Sequence, residues 1–306
     1  MASNVITNSI TSTFSAYVRR CLLLAVVSLL ASVCFSQSRV EYIGFLKYSL
    51  DPTTKTAVLV GMKDKSYDGG ENGIVIPDKV KAADGRKYNV VALGDNCFKE
   101  SGIKAITVPS SVTSLGAECF AFCTSLKEIS LPNVKSLGES CFYYCLKLAA
   151  ISLPSAISLG AGCFSSCDGL TSIDLPRAIS LGDYCFQHCR HLTYIGLSYT
   201  VTSIGQECFE RCISLKQITI PHNVTYLGSG CFRECYELEK IVFKGKLPRL
   251  GKLGSKNIKY FSLGTYVPCF VPQSYFQDYK NALGKKYEIR SSREEKIQKF
   301  FGKWYA

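Results

Sequence analysis

Four side chains of metal-ligand type crowd one stretch of the sequence: Cys185, His188, Cys189 and His191 fall within the seven residues CFQHCRH. Thiolates and imidazoles at such spacings are the donors of a closed zinc site. The two cysteines, however, belong to a pattern that recurs along the chain, whereas the histidines fill positions that vary between recurrences. No metal is therefore expected. His222 follows Pro221 and reads as an exposed turn residue. The other candidates for chemistry are two carboxylates, Glu128 and Asp174. At a separation of about 10 Å they would overlap the spacing of an inverting glycosidase pair, but the positions between them are uncharged and give no reason for a shifted acid. No base stands beside a nucleophile at a recognisable spacing, and the glycines come singly, so no loop cradles a phosphate. Neither an enzyme nor a cofactor is expected.

What positions these residues is a period. Cys-Phe pairs begin at Cys97, Cys119, Cys141, Cys163, Cys185, Cys208 and Cys231, spaced by 22 or 23 residues, and the unit reads LGxxCFxxCxxLxxIxLPxxVxS. Self-similarity at this length marks a solenoid, in which no unit buries its apolar face alone and stacked neighbours share one core. The Ile and the Leu two residues on, as in Ile129 and Leu131 or Ile151 and Leu153, lie on one face of a short strand. The prolines Pro109, Pro132, Pro154, Pro176 and Pro221 end that strand. The glycines from Gly94 to Gly228 suit a turn with positive φ or a close backbone approach. Phe98, Phe120, Phe142, Phe164, Phe186, Phe209 and Phe232 form an aromatic ladder on a short helical or 3₁₀ turn. The expected fold is a repeat solenoid with one short strand per coil, seven coils and an N-terminal β cap.

Fourteen cysteines follow residue 36, and twelve of them form two columns, Cys119/Cys123 through Cys231/Cys235. The period favours buried free thiols stacking on their own images. Bridges between adjacent coils stay open as an alternative, because a strand spacing of about 4.8 Å falls within disulfide range. Cys269 stands outside the period and is a candidate reactive or cap-paired thiol. On the outward strand positions, Glu128, Ser130, Ser172, Asp174, Tyr194, Gln217, Thr219 and Lys240 are the candidate ligand-binding residues. They share that column with small residues such as Ala105, Thr107, Ala150 and Ser152.

The two ends differ from the body. Residues 1–20 contain no acid and finish in Arg19-Arg20, the apolar run CLLLAVVSLLASVCFS follows, and Cys34 and Ser36 suit cleavage before Gln37. This reads as an export signal. A signal anchor is disfavoured because 16 residues fall short of the ~20 needed to cross a bilayer, and lipidation at Cys34 is disfavoured by Val33. Residues 37–243 balance 20 basic against 20 acidic side chains, while residues 244–306 carry 14 Lys/Arg against 4 Asp/Glu. Lys244, Lys246, Arg249, Lys252, Lys256 and Lys259 are thus candidates for an anionic surface polymer, or simply a solvated end. A neutral body without a basic motif argues against nucleic acid. The expected division is 1–36 signal, 37–90 cap, 91–245 repeats and 246–306 basic cap and tail.

The unit LGxxCFxxCxxLxxIxLP resembles the BspA-type leucine-rich repeat of exported bacterial surface proteins, usually IGxxAFxxCxxLxxIxIP, with Cys in place of Ala before the Phe. Residues 38–90 are similar to the β-rich cap that precedes such repeats, and YVPCFVPQSYFQDYKNA (266–282) to their VPxxxxxxYKxA closing segment. The tail 283–306 lies outside the resemblance. The resemblance implies a secreted or cell-surface protein that mediates adhesion or recognition of a host or neighbouring-cell protein or glycan. The alternative is a structural surface or matrix component attached through its basic end. Membrane contact would come only through an uncleaved signal segment.

Overall fold

The computed structural model describes residues 38–70, 73–251, 267–283 and 288–291. Residues 1–36, expected to be an export signal, and the tail from residue 292 to 306 lie outside these. The chain opens with β1 (Arg39–Ile43), β2 (Leu46–Asp51) and β3 (Thr56–Met62) in antiparallel order, followed by β4 (Ile74–Val75), β5 (Lys79–Lys81) and β6 (Lys87–Leu93). Alternation along β2 sends Leu46, Tyr48 and Leu50 inward. β6 pairs in parallel with β3 on one side, and on the other it places Ala92 and Leu93 beside Ser114 and Leu115 of the first coil. The cap thus covers what would be an open sheet edge.

Each coil contributes a strand from its IxL segment: β7 (Ile106–Thr107), β9 (Glu128–Ser130), β11 (Ala150–Ser152), β13 (Ser172–Leu175), β15 (Tyr194–Leu197), β17 (Gln217–Ile220) and β19 (Lys240–Phe243). A second, two-residue strand per coil joins the expected one: β8 (Ser114–Leu115), β10 (Ser136–Leu137), β12 (Ser158–Leu159), β14 (Ser180–Leu181), β16 (Ser203–Ile204), β18 (Tyr226–Leu227) and β20 (Arg249–Leu250). This second column runs as one unbroken parallel ladder from β6 to β20. The first column pairs in blocks, β4 with β7, β9 with β11, β13 with β15, and β17 with β19.

The phenylalanine ladder forms the core. All seven rings are fully buried, with centroids 5.1–5.7 Å apart and planes within 3–10° of parallel. The amides of the first six, Phe98 to Phe209, donate to the Cys carbonyl of the next coil at 2.7–2.9 Å, as in Phe120 to Cys141 and Phe209 to Cys231. Consecutive tight turns hold each ring in place: Ala121 N–H donates to Glu118 and Cys123 N–H to Phe120. The residues before the two cysteines take up the left-handed backbone, with φ between 49° and 63° from Asn96 and Glu100 onward to Gly230 and Glu234. The column glycines from Gly116 onward are there for the other reason. A Cβ on Gly138, for example, would stand 2.5 Å from Ala117 N and Gly116 C of the neighbouring coil.

All fourteen described cysteines are free and buried. The second column has a polar task in addition to packing. The thiols of Cys123, Cys145, Cys167, Cys189, Cys212 and Cys235 donate to the Phe carbonyl of the preceding coil at 3.0–3.2 Å. Burial pushes the Cys123, Cys235 and Cys269 thiols up to about 12, and those of Cys119, Cys163, Cys185 and Cys231 well above the ordinary value. Cys269 is neither exposed nor cap-paired. It sits in β21 (Cys269–Val271), in register with the core residue Ile241 and with Ile289 of β22 (Ile289–Ser291). Between these two strands, α1 (Phe276–Leu283) seals the end of the solenoid. Tyr279 packs its ring 5.1 Å from Phe243 and donates its hydroxyl to the carbonyls of Gly245 and Lys246 at 3.2 and 3.0 Å.

Candidate functional site

The first strand column turns its odd positions out because Ile129, Ile173, Ile195 and Ile218 turn in. Glu128, Ser130, Ser172, Asp174, Tyr194, Gln217 and Thr219 are accordingly exposed. Glu128 and Ser130 line a trough of about 460 Å³ with Ala105, Ile106, Thr107 and Ala150–Ser152. Ser172 and Asp174 line an adjoining one of about 310 Å³ that shares the Ala150–Ser152 wall. Together they make a shallow groove across four coils. Its width comes from small side chains, chiefly Ala105, Thr107, Ala150 and Ser152, which the sequence places on this face without marking them as a site.

At one end of the groove Asp174 and Tyr194 converge over Gly196. A Cβ added to Gly196 would stand 2.0 Å from Asp174 Oδ1 and 3.0 Å from the Tyr194 hydroxyl, so the missing side chain is what lets the two groups meet. The negative charge of Asp174, with a little burial and a hydrogen bond, raises the Tyr194 phenol above its usual value. Gln217 and Thr219 line neither trough. Lys240 is half-buried, with its Nζ 4.7 Å from the Phe270 ring, which Arg290 approaches at 5.8 Å. The same strand face therefore runs from carboxylates in the middle coils to cations at the closing strands. Nothing in the repeat consensus announces Phe270 or Arg290, because both lie beyond the last periodic unit.

Lys244, Lys246 and Arg249 are exposed at the far end, with the Arg249 guanidinium 5.1 Å from the Tyr226 ring. Lys252, Lys256 and Lys259 lie outside the described residues. The CFQHCRH stretch does not gather its four ligand types. Cys185 and Cys189 point into the core, and His188 is half-buried, its imidazole held below the usual value by burial and by Arg211. His191 faces solvent and bonds the Asp168 carbonyl at 2.8 Å through Nδ1. Among the described residues no three His, Cys, Asp or Glu side chains stand together as metal ligands.

A second concentration of charge lies on the turn edge of the last coils. The Arg233 guanidinium bonds both Glu207 (3.1 Å) and Glu210, and Gln187 also donates to Glu210. The acids are only 8% and 2% exposed. Burial and the neighbouring Glu210 raise Glu207, whereas Glu210, despite its burial, is held down by hydrogen bonds from Glu207, Gln187 and Arg233. Arg233→Met strands both carboxylates. Because the Arg233 side chain is 35% exposed, the expected cost at pH 7 is about 2 kcal/mol, below the roughly 3–5 of a fully buried pair. Without the guanidinium the buried carboxylate pair holds a proton more tightly than the unfolded chain does, so folding takes up a proton and the variant recovers stability as pH falls from 7 towards 5. Urea denaturation at the two pH values checks this, and a deficit that does not shrink at pH 5 contradicts it.

Among the described residues no helix is long and apolar enough to cross a membrane. No curated protein matches the chain. Among solved structures, a leucine-rich cell surface protein from Faecalibacterium prausnitzii aligns with a TM-score of 0.63 at 23% identity, covering 78% of this chain and 72% of its own. The leucine-rich repeat protein of T. pallidum aligns at 0.51 with 23% identity, covering 82% and 98%. These likenesses concern the fold. The family model for the BspA-type leucine-rich repeat region matches residues 91–180 and 157–266 in six copies. Those matches span the Cys-Phe turns, the ladder and both strand columns, and on that ground the chain belongs to the BspA-type leucine-rich repeat family.

Proposed function

We propose that the protein is an exported, non-enzymatic recognition module that engages a protein or glycan of a host or neighbouring cell through the strand face of its repeats. The observation that supports this is the groove from Ala105 to Asp174, an open surface with small side chains at its floor and carboxylates at its sides. A rigid, laddered scaffold holds it, so little order has to be gained on binding. The exposed Lys244, Lys246 and Arg249 favour a second reading, a structural surface component attached through its basic end. The test is binding of residues 37–306 to immobilised matrix proteins and glycans at low and high salt, beside Ser152→Trp, which fills the groove, and a triple Lys244→Gln, Lys246→Gln, Arg249→Gln variant. For recognition by the groove, Ser152→Trp is expected to weaken capture by about tenfold or more at either salt concentration. Capture indifferent to Ser152→Trp but lost in the triple variant or in salt would replace this reading with attachment.

A further inference from the structure

We propose that the groove takes an extended polypeptide segment bearing lysine or arginine, with one cationic side chain held by Asp174 and Tyr194 and a second by Glu128. This names the partner class for the recognition surface above and rests on that reading.

Two observations point to a cation at the Gly196 end. The exposed Asp174 lines the groove, and its carboxylate lies over a backbone without a side chain, beside the Tyr194 hydroxyl, where a ligand leaving the groove would meet it. Tyr194 is 54% exposed, and its ring offers a negative face next to that carboxylate. A carboxylate and an aromatic face both attract an ammonium or guanidinium, the first by charge and the second by its quadrupole. Neither needs the ligand to bring an aromatic or acidic group.

The shape of the groove argues for an extended chain. Ala150, Ser152 and Ser172 rise little from the floor, leaving room for a backbone to pass across the coils. Glu128 belongs to β9 and Asp174 to β13, two coils on, and the Phe ladder between those coils advances in steps of 5.1 and 5.3 Å. An extended peptide in the polyproline II conformation rises about 3.1 Å per residue and returns every third side chain to the same face, so cationic residues three apart would span about 9 Å, close to that distance. Lys127 stands next to Glu128 in sequence, which lowers the attraction at that end. Asp174 is therefore expected to carry the larger share.

The experiment is fluorescence anisotropy of residues 37–306 with a peptide carrying lysine at every third position among serines, and with the same peptide acetylated at every lysine. The lysine peptide is expected to bind at least about tenfold more tightly than the acetylated one. Asp174→Asn should weaken it by about fivefold or more and Glu128→Gln by about twofold, while Tyr194→Phe, which keeps the ring, changes less than Tyr194→Ala. These side chains are exposed, so the melting temperature of each variant should match that of the parent. Equal binding of the acetylated peptide, or full affinity in Asp174→Asn, overturns the proposal. If an array partner is blocked by Ser152→Trp yet indifferent to Asp174→Asn, as a neutral glycan would be, groove recognition stands and the basic segment falls. A lysine peptide that binds Ser152→Trp as well as the parent overturns the groove as the site for either.

Discussion

Replacing Phe164 by alanine is expected to lower stability by about 3–5 kcal/mol, the range for deleting a large buried ring that its surroundings cannot refill. The ring is fully buried, and it lies 5.3 Å from Phe142 on one side and 5.3 Å from Phe186 on the other, within 3° and 8° of parallel. The cavity cannot collapse easily. The Phe164 amide still bonds the Cys185 carbonyl at 2.8 Å, and the thiol of Cys189 still bonds the Phe164 carbonyl at 3.1 Å. These ties hold the coils at their spacing around the void. Because coils contact only their neighbours, the loss also weakens coupling between the two halves of the solenoid. Urea denaturation followed by circular dichroism should show a lower midpoint and a broader transition. An unchanged midpoint would mean that the ladder does not carry the core.

The second large effect is Gly160→Ala, expected to cost about 3 kcal/mol, at the upper end of overpacking. The added Cβ would stand 2.6 Å from Glu139 N and Gly138 C, both backbone atoms of the preceding coil, which no rotamer change can move aside. Relief requires the coils to part, and parting stretches the Gly160 N–H bond to the Leu137 carbonyl, now 3.0 Å. Gly94 provides the control. There a Cβ would meet Val60 Cγ1 at 3.3 Å and the Leu59 carbonyl at 3.4 Å, the first being a side chain with room to adjust. Gly94→Ala is expected to cost about 1 kcal/mol or less. Thermal melts of the two variants side by side check the contrast, and equal costs would show that close approach is not what the column requires.

The contrast between these glycines marks the boundary of what the repeat makes legible. A consensus reports that a position accepts only glycine and leaves open whether φ or contact is the cause. Here contact is the cause from Gly116 onward, and the left-handed φ falls instead on Glu118, Ser140, Tyr144 and their equivalents, which vary in type and so leave no trace in the pattern. The cysteines show the same limit. Their period indicates burial, but the bond from the second thiol to the Phe carbonyl appears only once the preceding coil is in place. The two-residue strands from β8 to β20 are too short for any alternation to reveal, since their order comes from pairing with neighbours rather than from their own residues.

The candidate site divides along the same line. Glu128, Asp174 and Tyr194 could be named as outward residues from a period of two and a coil of 22 or 23 residues, because strand alternation is a local property. That Asp174 and Tyr194 meet over Gly196 depends on how β13 and β15 register, Ser172 against Tyr194 and Asp174 against Gly196. That Lys240 lies over Phe270 depends on β21 joining the sheet from beyond the repeat. Fold class, coil length and the identity of the core residues were thus readable in the chain, since each recurs with the repeat and a repeat averages out its local exceptions. The groove, its charged corner and the core position of Cys269 became visible only in the packed solenoid, because each arises from a contact between segments that have no common pattern.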